Sequence, residues 1–170
     1  NGNTTNFIVD TDRKLRLNAA DQGSSWLYTE SIYPDSFELG FKLKMEFSPS
    51  ASNASRVYFL SDNSDYLQSN GYYLLLGENG SGDRIKVYKM ENGGETLIAQ
   101  GLDGALAKDP SVCNVKMTFR NNKDFVLLAD YDDNGSFDDN ISWVDNTPPT
   151  LSKYFGFYSI YTATRVDKFV

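Results

Sequence analysis

The chain contains no histidine. That removes Ser-His-Asp and Cys-His catalysis, histidine-ligated zinc and the usual general base near neutral pH. Any chemistry must therefore use carboxylates, lysine, tyrosine or a bound ion. Cysteine is nearly absent too. Cys113 stands alone, which excludes a disulfide within the chain and leaves the redox compartment unread; it is expected to be a buried spectator thiol. Basic residues are too few for a nucleic-acid partner, because 16 Lys and Arg stand against 23 Asp and Glu for a formal net charge of -7, and phosphate neutralisation needs clustered positive charge. The same balance disfavours anionic membrane surfaces. No run approaches the roughly 20 apolar residues that span a bilayer, so no membrane insertion is expected. The first residues, Asn1 to Asn6, are polar and do not form the apolar stretch of a signal peptide.

What the chain has in quantity is aromatic residues, with 11 Tyr and 11 Phe in 170 residues. Such side chains suit the half-buried surfaces of strands, and the length fits one domain with its own core. In SFELGFKLKMEFSPS, Phe37, Leu39, Phe41, Leu43, Met45 and Phe47 alternate with Glu38, Gly40, Lys42, Lys44 and Glu46. This period of two predicts a long strand with one face in a core and one in water. RVYFL, GYYLLLG, RIKVYKM, TLIAQ, NVKMTFR, FVLLAD, ISWV and YFGFYSIYT follow at intervals, separated by the turn-forming clusters ENGSGD, ENGG, RNNKD and DDNG. The expected fold is all-β, an antiparallel two-sheet β-sandwich of jelly-roll type. GYYLLLG and FVLLAD alternate less cleanly, as expected of central strands covered on both faces. Short helical turns are expected near SDNSDYLQS and LDGALAKDPS. RVDKFV ends on apolar Phe169 and Val170 with no turn signal, so residues 1–170 read as a single jelly-roll domain excised from or trimmed within a longer protein.

Four stretches resemble the concanavalin A-like lectin and glucanase superfamily, related in shape to laminin-G domains: LRLNA at 15–19, FKLKMEFSPSASNASRVYFLSD at 41–62, NGYYLLLGENGSGDRIKVYK at 70–89 and YFGFYSIYTATRVDKF at 154–169. More closely, the chain resembles a module near the start of large secreted or surface bacterial proteins, some of which also carry lamin-tail domains. The resemblance implies two stacked antiparallel sheets with the terminal strands close together. It also implies a secreted or cell-surface bacterial location, periplasm-facing or attached to the outer membrane through a parent protein, with that protein's other domains as neighbours. Glucanases of this fold use a Glu-x-Asp-x-x-Glu pattern, which this chain lacks. Glu38 and Glu46 share one face but lie about 27 Å apart along an extended strand, too far for two-carboxylate hydrolysis.

The stretch DYDDNGSFDDN leaves two readings open. Asp130, Asp132, Asn134 and Asp138 occupy positions one, three, five and nine of a loop with Gly135 at six, which imitates the first half of an EF-hand calcium loop. Ile141 stands where the bidentate acid should be, and a strand precedes the loop. The other reading is a hairpin turn built on Asp133-Asn134-Gly135. SDNSD, at 61–65, carries the same ambiguity. For a glycan partner the candidates are Trp26 and Tyr28, which share a face of SSWLYTES opposite Leu27; they face solvent if Leu27 points inward, and otherwise both tryptophans, Trp26 and Trp143, fill the core. Tyr58 and Tyr88 are weaker candidates. Arg165 is expected to anchor the terminal strand through a neighbouring acid such as Asp167, or to clamp a ligand carboxylate. Asn-x-Ser/Thr triplets begin at Asn3, Asn53, Asn79, Asn134 and Asn140, although composition alone can produce them. The functional expectation is a non-catalytic binding or adhesion module, with a structural spacer or capping domain as the alternative and a glycoside hydrolase a remote third.

Overall fold

The computed structural model describes residues 1–78, 80, 82–150, 152–162 and 168–169. The strands are β1 (Phe7–Val9), β2 (Leu15–Leu17), β3 (Gly23–Glu30), β4 (Phe37–Met45), β5 (Ala54–Ser61), β6 (Gly71–Leu76), β7 (Ile85–Glu91), β8 (Gly94–Gln100), β9 (Ser111–Arg120), β10 (Asp124–Asp130), β11 (Asp139–Val144), β12 (Tyr154–Tyr161) and β13 (Lys168–Phe169). They form a seven-stranded sheet, β1-β2-β13-β4-β9-β10-β11, and a six-stranded sheet, β3-β12-β5-β6-β7-β8. Every pairing between these strands is antiparallel. The expected two-sheet sandwich is what the chain adopts.

Alternation supplies the core directly. In β9 every second residue from Ser111 to Phe119 is buried, and Leu43, Val57, Phe59, Leu74, Val87, Val115, Met117 and Leu127 meet between the sheets. Each such side chain contributes about 1.5–3 kcal/mol on burial. The turns are where the sequence places them: Asn92 (φ 53°) and Gly93 (φ 77°) reverse the chain between β7 and β8, and Asn121 and Asn122 between β9 and β10. Such left-handed positions suit Asn and Gly and match the twist of the flanking strands. Cys113 is a buried thiol in the core, and burial pushes its pKa up.

A polar clamp joins the two sheets. The Tyr72 hydroxyl in β6 donates to Asp145 just beyond β11 at 2.7 Å, and Lys89 of β7 reaches the same carboxylate at 2.7 Å. Burial works to raise the Asp145 pKa, but Lys89, the Tyr72 hydroxyl and Thr147 outweigh it and hold the pKa down at about 2.

The structure changes one expectation about strand coverage and one about helical turns. β6 is covered on both faces as expected, with Tyr72 and Tyr73 both buried. β10 is not: it lies one strand from the sheet edge, its outer face is open, and Val126 is 38% exposed. Its weak alternation reflects solvent-facing apolar residues, not double coverage. The expected helical segment at 61–69 is one short 3-10 turn, Tyr66–Gln68, whereas 102–110 forms turns and bends and Ser111 opens β9. β13 enters the seven-stranded sheet between β2 and β4, bringing the terminal strands together. Arg165, Asp167 and Asn79 lie outside the described residues.

Candidate functional site

The outer face of the six-stranded sheet carries an unusual density of aromatic side chains. β3 turns Leu27 inward, where it packs on the core, so Trp26 and Tyr28 point outward. Register then builds two rows across the sheet. One runs Trp26, Tyr158, Arg56, Leu75, Lys86; the other runs Tyr28, Gly156, Tyr58, Tyr73, Tyr88, Leu97. The segment after β5 folds over these rows and sets Tyr66 against Trp26, Tyr58 and Tyr158, with ring centroids 6.0, 5.0 and 4.7 Å apart. That segment is tied down by the Asp62 carboxylate, which accepts from the Asn70 backbone and side-chain amides at 2.8 Å each, and by Asp65, which accepts from Leu67 N–H at 3.1 Å. A second, small core results on the outside of the sheet, in which Tyr58 and Tyr73 are only 3% and 1% exposed.

Arg56 organises the middle of this face. Its guanidinium lies 4.7 Å from the Tyr73 ring centroid and 5.9 Å from that of Tyr158, cation-π geometry that holds a charge on a half-buried surface. Its Nη1 donates to the Tyr58 hydroxyl and to Glu95, both at 3.3 Å, while the Tyr73 hydroxyl donates to Glu95 at 3.0 Å. Burial pushes Tyr58 up to about 12 although Arg56 opposes it, so the hydroxyl that accepts from Arg56 stays protonated at neutral pH.

Two depressions differ sharply in size. Around Gly156, the walls formed by Trp26, Tyr28, Tyr58, Tyr66 and Tyr154 leave about 10 Å³, room for about one water. The second, about 230 Å³, has a low floor of Ala54 and Gly77. Tyr158 and Ile160 wall one side, Tyr88 and Lys86 the other, and Arg56 and Glu78 supply polar groups. Gly77 has φ 109°, and a Cβ there would meet the Pro49 ring at 2.9 Å, so a side chain would strain the backbone and crowd the floor. Glu78 is neutralised by Arg84 at 3.6 Å and by Lys86. Beside it, burial raises the pKa of Asp83, although its carboxylate accepts from the Glu78 N–H at 3.0 Å.

The acidic loop between β10 and β11 is organised by the protein's own donors. Asp130, 2% exposed, accepts from the backbone N–H groups of Gly135 (2.9 Å), Asp132 (3.1 Å) and Asn134 (3.3 Å) and from the Asn114 amide at 3.3 Å. Desolvation opposes its ionisation, but these four donors prevail and hold its pKa below the ordinary carboxylate range. Asp138 accepts from Tyr131 N–H and Asn134 from Ser136 N–H, both at 2.8 Å, and Asp132 and Asp133 pair with Lys108 and Lys42. Asp133 (φ 55°) and Gly135 (φ 84°) make the reversal. Among the described residues, no three His, Cys, Asp or Glu side chains converge as metal ligands. SDNSD is tied down by the same kind of local bond, through Asp62 and Asp65.

The two tryptophans part company. Both are half-buried, Trp26 on the outer face and Trp143 stacked on Phe125 (centroids 4.6 Å, planes 6° apart) against the edge of the main core. Tyr88 is half-buried and stacked on Tyr73 at 5.0 Å. Sequence reading missed Arg56, Tyr66, Tyr73 and Tyr158. The alternation of YFGFYSIYT carries a signal for Tyr158, but nothing local announces that Tyr66 folds onto it. Asn53, which begins one of the Asn-x-Ser/Thr triplets, is buried, and its side-chain oxygen accepts from Thr162 N–H at 2.9 Å.

No protein-family model matches the sequence, and no curated protein does. Solved structures match the fold across nearly the whole chain. A legume lectin-like domain from Entamoeba histolytica superposes with a TM-score of 0.68 at 16% identity, covering 96% of this chain and 82% of that one. The exoplasmic/lumenal domain of VIP36 in its Ca2+/Man2-bound form gives 0.69 at 12% identity, covering 99% and 76%. The carbohydrate binding module CBM66 from Bacillus subtilis gives 0.52 at 16% identity, covering 100% and 88%. The two sheets, their order and these likenesses together establish that the chain has the concanavalin A-like jelly-roll fold.

Proposed function

We propose that this domain is a non-catalytic carbohydrate-binding module, exposed outside the cell, that holds a neutral glycan across the outer face of its six-stranded sheet. The observation that carries this reading is the 230 Å³ cleft over Ala54 and Gly77, with Tyr88 and Tyr158 at its sides and Arg56, Glu78 and Lys86 within reach. Tyrosine rings take the C-H face of a pyranose, and the charged groups take its hydroxyls. The volume lies below the roughly 300–1,000 Å³ of drug-sized sites and suits one sugar unit. Neutrality follows from the pairing: Arg56 already faces Glu95, and Lys86 faces Glu78, so an added carboxylate would have to displace a partner. Trp26 and Tyr28 extend the same platform beyond Tyr158, along the path of a longer chain. Lectin-like and carbohydrate-binding neighbours in fold space support the class of ligand.

A hydrolase finds little support here. Glu78 is the one carboxylate among the described residues lining the cleft, and it is held by two cations; glycoside hydrolysis needs a pair. The acidic loop, bonded to itself and to two lysines, is read as a turn that folds without calcium. The test is titration calorimetry against neutral oligosaccharides, beginning with a mannose disaccharide. Binding that drops at least tenfold in Tyr88→Ala, measured at a temperature where the variant is fully folded, is the expected result. If neither the disaccharide nor any other neutral oligosaccharide in the series binds, the domain is a structural spacer between its neighbours.

A further inference from the structure

Part of the aromatic platform beyond the cleft is already covered by the protein itself. The Tyr66 ring lies against Trp26, Tyr58 and Tyr158 at centroid separations of 6.0, 5.0 and 4.7 Å. Trp26 and Tyr158 are direct neighbours across β3 and β12, so Tyr66 sits over the step from one ring to the next. Tyr158 is common to both places, because it also walls the 230 Å³ cleft. What holds Tyr66 there differs from what holds the other rings. Tyr28, Tyr58, Tyr73, Tyr88 and Tyr158 stand on strands and are fixed by the ladders of the sheet. Tyr66 stands on the 3-10 turn Tyr66–Gln68, in the segment that joins β5 to β6. The ends of that segment are clasped, since Asp62 N–H donates to the Asn70 carbonyl at 3.0 Å and the Asp62 carboxylate accepts from both Asn70 amides. Inside the clasp, among the described residues, the backbone bonds stay local: Asp65 N–H reaches the Asn63 side chain at 3.0 Å, Leu67 N–H the Asp65 carboxylate at 3.1 Å, and Gln68 N–H the Asp65 carbonyl at 3.0 Å. Leu67 is 67% exposed, and Tyr66 is the one aromatic ring in the segment. Such a loop, compact and closed at its base, can move as a unit.

We propose that Tyr66 is a built-in stand-in for a sugar ring: in the free domain it closes a second subsite bounded by Trp26, Tyr58 and Tyr158, and a neutral glycan long enough to pass Tyr158 displaces it by swinging residues 62–70 about the Asp62–Asn70 clasp. The inference rests on the carbohydrate-binding reading and adds a length rule to it. A phenol offers its neighbours what a pyranose offers, a six-membered disc with a hydroxyl at its rim, so the pocket that accepts one accepts the other. A disaccharide is held in the cleft with Tyr66 in place. A tetrasaccharide reaches Trp26 only in molecules whose latch is open, and its apparent affinity is reduced by that fraction. Removing the ring lifts the reduction for the long chain and leaves the short one alone.

The experiment is titration calorimetry of the 170-residue chain, Tyr66→Ala, Tyr66→Phe and Asp62→Ala against mannose, glucose and galactose oligosaccharides of two and of four units. For the sugar that the native chain takes, Tyr66→Ala is expected to tighten the tetrasaccharide by about fivefold or more and to change the disaccharide by less than about twofold. Tyr66→Phe keeps the ring and is expected to stay near the native chain. Asp62→Ala loosens the clasp while leaving every ring in place, and is expected to tighten the tetrasaccharide by a smaller factor. In the native chain, nuclear Overhauser contacts between the Tyr66 and Trp26 rings are expected to persist with the disaccharide and to vanish with the tetrasaccharide. The latch alone is overturned if the disaccharide binds but neither Tyr66→Ala nor Asp62→Ala tightens the tetrasaccharide, or if the tetrasaccharide binds with the contact between Tyr66 and Trp26 intact. If no oligosaccharide binds the native chain or any variant, the carbohydrate-binding reading falls and the latch falls with it.

Discussion

The two outer faces of this sandwich are built from the same alternation and come out opposite. On the six-stranded sheet the two outward rows carry five tyrosines, and the segment 61–70 closes over them so that Tyr58 and Tyr73 are as buried as core residues. On the seven-stranded sheet the outward positions of β4 are Glu38, Lys42 and Lys44, which pair with Lys116, Asp133 and Glu46 in water. The difference teaches that an outward position is not an exposed one. A short loop with one well-placed aromatic converts a solvent face into a second core, and charged pairs of the other kind contribute about 0–1 kcal/mol each.

The comparison is broken most directly by removing one outward side chain from each sheet. Tyr73→Ala deletes a ring that stacks on Tyr88, supports Arg56 and bonds Glu95, and is expected to cost about 3–5 kcal/mol in urea unfolding. Val126→Ala on the outer face of β10 is expected to stay within about 0.5 kcal/mol. Similar costs would mean that the aromatic face is not a core.

A second, smaller effect separates a carboxylate that ties the sheets from one that ties a loop. The pKa of Asp145 is depressed in the folded state, so its contribution is complete above the ordinary carboxylate pKa of about 3.9 and is lost as pH falls towards 2. Thermal melts between pH 5 and pH 2.5 should show stability falling with acid in the native chain and a shallower fall in Asp145→Asn. Asp130 is depressed in the same direction, but its partners are mostly loop amides, and Asp130→Asn is expected to change the slope less. Parallel slopes for Asp145→Asn and the native chain would remove the clamp between the sheets from the account.

The smallest effect is expected from calcium. A ligand bound only by the folded state raises the midpoint by mass action, about 2.7 kcal/mol at one hundred times its Kd. A loop whose carboxylates are already satisfied should shift by less than about 1 °C between EDTA and millimolar calcium, both in the native chain and in Asp132→Ala. A rise of several degrees that Asp132→Ala abolishes would restore Asp130, Asp132, Asn134 and Asp138 as a cation site.

Much of this molecule was legible in the order of its residues because strand geometry is local. The alternation from Phe37 to Phe47 needs no partner to be read, and Asn92-Gly93 or Asp133-Asn134-Gly135 announce their turns through the backbone angles they tolerate. The all-β class, the turns and the absence of histidine chemistry follow from that level alone. Sidedness does not. Whether Trp26 or Trp143 meets the core depends on which way Leu27 and Phe125 face, and that is decided by the sheet each strand joins. Tyr66, Arg56 and Tyr158 come from three separate segments, and their meeting depends on pairings between β3, β12 and β5 that span more than a hundred residues of chain. Local preference set what each segment could be, and only long-range burial of one face against another decided where it went.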